Sequence, residues 1–165
     1  MTKRPIIEVP LSRVDIVLEL VAAAAVAFMV LALARYYAVI PERIATHFGF
    51  SGKPDGWGPK STVLVMLAVA GLGYLLLTIV ARFPQTFNYP VRITEENALR
   101  QYAIALSTMR WLKAEVTVMC AYIEWQMIRI ALGRAEGLGL AFAVGMPVVI
   151  LATVAILIIR SLRAR

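Results

Sequence analysis

Four long apolar stretches occupy most of this chain and decide what it can fold into. They cover residues 14–34, 61–81, 102–132 and 138–159. Each is about 20 residues or longer, the length that a helix needs to cross a hydrocarbon core of about 30 Å. A soluble domain has no use for four such runs. We therefore predict an all-α, polytopic membrane protein with four transmembrane helices in a single domain, 1–165.

The composition agrees with a protein surrounded by lipid. Hydrophobic residues make up 61% of the chain and charged residues 16%, against about 45–50% and 25% in ordinary soluble domains. The net charge of +7 does not indicate nucleic acid, because the Lys and Arg residues cluster at helix ends, where they reach the lipid headgroups. The length leaves no room for an additional soluble catalytic domain.

The distribution of basic residues predicts that both termini are cytoplasmic. The first apolar run is too long for a secretion signal and three more follow it, so we expect an uncleaved first helix. Basic residues then favour the side of the termini by nine to six. The nine are Lys3, Arg4, Arg13, Arg82, Arg92, Arg100, Arg160, Arg163 and Arg165, and the six are Arg35, Arg43, Lys53, Lys60, Arg129 and Arg134.

The sequence offers no catalytic or metal-binding constellation. Its single cysteine, Cys120, lies within the third run, so no intramolecular disulfide can form. One histidine, His47, with one nearby carboxylate supplies too few ligands for Zn²⁺. No nucleophile–base pair or phosphate-binding glycine loop is apparent. We expect no enzyme activity, no cofactor and no metal.

The connection between the first two runs carries a dense motif. Residues 40–60 read IPERIATHFGFSGKPDGWGPK. This segment resembles the DUF1648 family of small bacterial membrane proteins, in which a loop of the form I-P-x-x-I-x-x-H-F-x-x-x-G-x-P-D-x-W-x-x-K joins the first two transmembrane helices. The resemblance covers about residues 14–81 and implies a multi-pass protein of the bacterial inner (plasma) membrane. The same domain occurs in larger proteins similar to the SdpI immunity protein, which protects a bacterium from its own secreted toxin.

Two interpretations of this connection stay open. In the first it is a rigid external cap: prolines and glycines set the backbone, Trp57 lies at the headgroup level and Asp55 closes an Asx-type turn. In the second it is a binding site formed by His47, Asp55, Trp57 and Lys60, whose polar groups converge or present a surface to a ligand.

The third run carries a polar stripe. At 100° per residue, Arg110, Lys113, Thr117, Cys120 and Glu124 fall within about 80° of one helix face. Three interpretations compete. The charges lie at the two membrane surfaces; or they form ion pairs inside the bundle, for instance between Lys113 and an acid of the first helix; or Glu124 is the centre of a proton- or ligand-handling site.

A second polar face on the same helix needs partners of its own. Glu115, Tyr122 and Arg129 lie on it together with Trp111. They require either partners within the chain or an interface with a second protein.

We expect a non-enzymatic integral membrane protein that works by binding. Its partners are the lipid bilayer and another membrane protein or a peptide, contacted through the external loop and the third helix. The family resemblance implies immunity to, or sensing of, a membrane-active peptide. The alternatives are an accessory subunit of a larger membrane complex or, less favoured, a small transporter.

Overall fold

A computed structural model describes residues 4–164 of the chain. Lys3 and Arg165, which enter the prediction of orientation, lie outside the described residues. Four long helices dominate the fold: α1 (Arg13–Tyr36), α2 (Thr62–Val80), α3 (Ala98–Ala131) and α4 (Leu140–Arg163). A hairpin of two strands, β1 (Arg43–Phe48) and β2 (Pro54–Pro59), joins α1 to α2, and a short 3₁₀ helix (Pro84–Thr86) follows α2.

Three of the helices are long and apolar enough to span a bilayer. These are α1, α2 and α4. Their outward faces expose large aliphatic side chains; Leu31, Leu72 and Leu151 are each more than 60% accessible. Such exposure is costly in water and favourable in hydrocarbon. The membrane class of the protein predicted from the sequence is therefore supported by these three helices.

The central helix is the most polar of the four. Helix α3 packs against each of the other three helices and against β1. It buries Lys113, Thr117, Glu124 and Gln126, whereas α2 buries only Val63 and Ala70. These polar groups thus lie inside the bundle and the large aliphatic side chains of α1, α2 and α4 lie outside, the arrangement expected of helices surrounded by lipid.

The all-α prediction was wrong for the connection between α1 and α2. Residues 43–59 form an antiparallel hairpin, with Arg43 opposite Pro59 and Phe48 opposite Pro54. Strand β2 contains two prolines and two glycines, which are disfavoured in strands, so β-propensity does not predict a strand here. An isolated hairpin is marginal in water, and here β1 packs on α3 with Ile44 in the apolar core.

Hydrogen bonds between the segments that connect the helices show which helix ends lie together at each end of the bundle. The backbone N–H of Leu138 donates to the carbonyl of Gly52 at 2.7 Å, so the hairpin and the α3–α4 connection lie at one end of the bundle. We call this the hairpin end. At the opposite end, Arg4 donates to the carbonyls of Gln85 and Phe87. Gln101 of α3 there bonds to the carbonyl of Ser161 at the end of α4.

Capping explains where two of the helices begin. Ser12 and Asp15 form a reciprocal capping box at the start of α1, with Ser12 Oγ accepting from the Asp15 N–H at 3.1 Å. Helix α3 begins at Ala98, although Thr94 is of a residue type that can cap the start of a helix. Thr94 and Asn97 instead bond each other's backbone N–H groups in the turn before the helix.

Candidate functional site

A cleft opens at the hairpin end between the hairpin, α3 and α4. Its volume is about 520 Å³. The hairpin contributes His47, Asp55 and the aromatic tip around Phe50. The walls are apolar and come from α3 and α4, by way of Met119, Ile123, Phe142, Ala143, Met146 and Pro147. An apolar pocket with a few polar groups at one edge is the usual form of a binding site.

His47 and Asp55 form a polar pair at the edge of this cleft. The Nδ1 atom of His47 lies 2.5 Å from Oδ1 of Asp55. The two strands pair irregularly on either side of His47, and such irregularities redirect side chains. Glycines leave space for the pair, since a Cβ at Gly56 would lie 2.9 Å from His47 Cβ and one at Gly49 would lie 3.0 Å from Asp55 Oδ2.

The pairing fixes how His47 can bind a ligand. Asp55 occupies Nδ1 and leaves Nε2 as the other hydrogen-bonding atom of the ring. When Nδ1–H donates to the carboxylate, Nε2 of the neutral imidazole is an acceptor. The His47 side chain is 75% exposed. The site therefore presents one oriented, solvent-accessible nitrogen above an apolar floor.

Phe50 is the most exposed apolar side chain of this cleft. It stands at the hairpin tip with 99% of its surface accessible and lines the mouth. Large aromatic side chains that become buried on binding dominate the energetics of many interfaces. The motif residues alone did not single out Phe50, because it occupies a variable position of the pattern.

Lys60 and Trp57 lie away from the His47–Asp55 pair. Lys60 is at the open end of the hairpin, where its Nζ lies 2.8 Å from Oε1 of Glu42 and above the ring of Tyr37. The hydrogen bond to Glu42 raises the pKa of Lys60, so the ammonium remains charged. Trp57 is half exposed and does not line the cleft. Thus the structure brings together only two of the four predicted loop residues.

The polar stripe of α3 divides into a paired part and an unpaired part. Lys113 Nζ donates to Glu19 Oε2 at 2.6 Å and to Thr78 Oγ1 at 2.9 Å. The Nη1 atom of Arg110 lies 3.4 Å from Oδ2 of Asp15. The interpretation in which Lys113 pairs with an acid of the first helix is therefore confirmed. Thr117 donates to carbonyls of its own helix.

Glu124 is the unpaired part of the stripe. Its side chain is completely buried, and neither carboxylate oxygen has a hydrogen-bond partner among the described residues. Cys120, one turn earlier, and Met127 and Ile128, one turn later, belong to two apolar clusters. Burial of a polar group without a partner costs roughly 1–3 kcal/mol, so Glu124 lowers the free energy of unfolding.

Helix α4 and the turn before it satisfy the second polar face of α3. Thr153 donates to Glu115 Oε1 at 2.6 Å, and Tyr122 donates to the carbonyl of Leu138 at 2.8 Å. Arg129 donates to Gln126 Oε1 and to a carbonyl in the α3–α4 connection. Each of these three side chains thus has a partner within the chain, and Glu115 Oε2 is the one buried oxygen of the three that has none among the described residues.

Fold and site together define a small helical membrane protein with a capped apolar cleft. Residues 24–72 match the family described as "Domain of unknown function (DUF1648)". The predicted resemblance is thus confirmed over the second half of α1, the hairpin and the first half of α2.

One curated relative extends the comparison to an archaeon. An uncharacterized protein of Archaeoglobus fulgidus is 32% identical over 62 residues, which cover 33% of this chain and 34% of the relative. The chain therefore spans about a third of the length of the curated relative it matches. No solved structure matches this chain.

Proposed function

We propose that all four helices cross the bacterial inner membrane, with the hairpin end outside and the opposite end in the cytoplasm. Helix α2 leads from the hairpin end to the opposite end, and α4 begins at the hairpin end, as the Gly52–Leu138 hydrogen bond requires. If both cross the bilayer, α3 must return across it. Its 34 residues give about 51 Å of helix, enough for a full crossing.

We further propose that the chain is a non-enzymatic binding protein whose outer cleft receives a peptide or a segment of a partner protein. The observation that carries this proposal is the His47–Asp55 pair placed beside an apolar cleft of about 520 Å³. The cleft offers a hydrophobic surface to apolar side chains. Nε2 of His47 offers one hydrogen bond to a backbone or side-chain group of the ligand.

The position of the cleft favours a membrane-active peptide as the ligand. The cleft lies where α3 approaches its end and α4 begins, beside the hairpin. In the proposed orientation this is the outer membrane interface. A peptide that partitions into this interface arrives with its apolar face toward the hydrocarbon. Capture of that face by Met119, Ile123 and Phe142 would remove the peptide from the lipid, and this is a physical basis for immunity or sensing.

A protection assay tests this function. Cells of the source organism lacking the chain are exposed to their own conditioned medium and are complemented with variants. We expect Asp55→Asn and Ala143→Trp to abolish protection, because the first loosens His47 and the second fills the cleft. Trp57→Phe, outside the cleft, should protect like the natural chain when membrane levels are equal. Protection by Ala143→Trp at natural levels would reject the cleft as the binding site.

The accessory-subunit alternative receives less support from the geometry. Lys113, Tyr122 and Glu115 of α3 each have a partner inside the chain, so these side chains do not call for a neighbouring subunit. Purification in mild detergent distinguishes the two proposals. A subunit would elute in fixed stoichiometry with other chains, whereas a binding protein would elute without them.

A further inference from the structure

A second cavity, at the end of the bundle opposite the hairpin, carries a concentration of positive charge. It has a volume of about 540 Å³ and lies between the segment before α1, the start of α3 and the end of α4. Arg100, Arg160 and Arg163 line it. None of the three makes an ion pair with any residue from 4 to 164. An arginine guanidinium binds phosphate oxygens through two parallel, charge-assisted hydrogen bonds.

The same cavity contains an acceptor that lacks a donor. Asp15 lines the wall and is 5% exposed. Its Oδ2 bonds Ser12 and faces Arg110, but Oδ1 has no partner within the described part of the chain. A ligand that fills this cavity is therefore expected to supply a hydrogen-bond donor in addition to its phosphate.

An apolar groove continues from this cavity toward the middle of the bundle. It has a volume of about 330 Å³ and shares Arg160 with the cavity. Its α4 residues Val149, Ala152 and Ile156 follow one another at helical spacing toward Arg160, and Trp111 of α3 lies opposite. Thr153 and Glu115, which bond each other, also line the groove. A charged pocket joined to an apolar groove matches the shape of a phospholipid.

We propose that this composite site binds an anionic phospholipid of the phosphatidylglycerol type. Its phosphate lies among Arg100, Arg160 and Arg163, a headgroup hydroxyl donates to Asp15 Oδ1, and one acyl chain occupies the groove beside Trp111. Phosphatidylcholine has no headgroup donor and no net charge. The site therefore selects phosphatidylglycerol over phosphatidylcholine.

Quenching of Trp111 fluorescence by brominated lipid measures this binding. The full-length chain with Trp57→Phe and Trp125→Phe is reconstituted in phosphatidylcholine vesicles that contain increasing brominated phosphatidylglycerol. We expect half-maximal quenching at a several-fold lower mole fraction than with brominated phosphatidylcholine. Arg100→Gln/Arg160→Gln/Arg163→Gln should abolish this difference. The matched control Arg13→Gln/Arg82→Gln/Arg92→Gln removes three charges at the same end of the bundle, outside the cavity, and should preserve it.

Three results would overturn the proposal. Equal loss in both triple variants would mean general attraction to a charged surface. Displacement by soluble glycerol 3-phosphate at millimolar concentration would identify a free phosphate ester as the ligand. Unchanged quenching in Ala152→Phe, which fills the groove without altering charge, would exclude an acyl chain there. If the arginine triple variant does not fold, Ala152→Phe still tests whether the lipid binds at this site.

Discussion

Lys113 of α3 reaches across to Glu19 of α1 with 2.6 Å between Nζ and Oε2. The Lys113 side chain is 3% exposed, and its Nζ also lies 4.6 Å from the centre of the Tyr74 ring. The pair therefore ties α1, α2 and α3 together through one ammonium group. It also explains how a lysine can be carried inside an apolar bundle.

Loss of Glu19 should be more damaging than loss of both members of the pair. Glu19→Gln leaves the Lys113 charge buried with only partial compensation, at a cost of about 3 kcal/mol. Glu19→Gln with Lys113→Met removes the charge together with its partner and should recover most of that loss. Unfolding by sodium dodecyl sulfate, followed by circular dichroism, measures the difference. A double variant as unstable as Glu19→Gln alone would show that the pair is not coupled.

Close backbone approach at Gly137 should make this position intolerant of a methyl group. A Cβ there would lie within van der Waals overlap of the Gly52 carbonyl, whereas one at Gly145 meets nothing within 4 Å. We expect Gly137→Ala to lower the free energy of unfolding by about 1–3 kcal/mol and to loosen the hairpin. Gly145→Ala, inside α4, should leave stability unchanged or raise it slightly. Equal thermal stability of the two variants in detergent would contradict the docking of the hairpin on the α3–α4 connection.

Glu124 should reduce stability as long as it remains a carboxyl group. Replacement by Met preserves much of the side-chain volume and removes a buried group without a partner. We expect Glu124→Met to raise the free energy of unfolding by about 1–3 kcal/mol. Destabilisation by this variant would mean that the carboxyl group has a partner in the membrane-embedded protein. If the chain transports an ion, Glu124→Gln should stop flux in vesicles, and unchanged flux would remove that role.

Apolar periodicity and length predict the helices, but not the contacts between distant segments. The runs that become α1, α2 and α4 are recognisable because lipid requires about 20 consecutive apolar residues. The Lys113–Glu19 pair is predictable because a charged side chain inside an apolar helix bundle needs a partner. The β2 strand cannot be predicted in this way, because Pro54 and Pro59 are disfavoured in strands. The hairpin packs on α3 and on the α3–α4 connection, and these contacts exist only in the folded chain. Arg100 and Arg160 meet only after folding, so no local pattern indicates their shared cavity.

The proposed orientation requires α3 to cross the membrane, and cysteine accessibility measures whether it does. In a Cys120→Ala background, Arg92→Cys lies before α3 and Glu136→Cys lies after it. A membrane-impermeant maleimide applied to intact spheroplasts should label the cysteine at position 136 at once, and the one at position 92 only after permeabilisation. Labelling of both positions from the same side would contradict a transmembrane α3 and the bundle built around it.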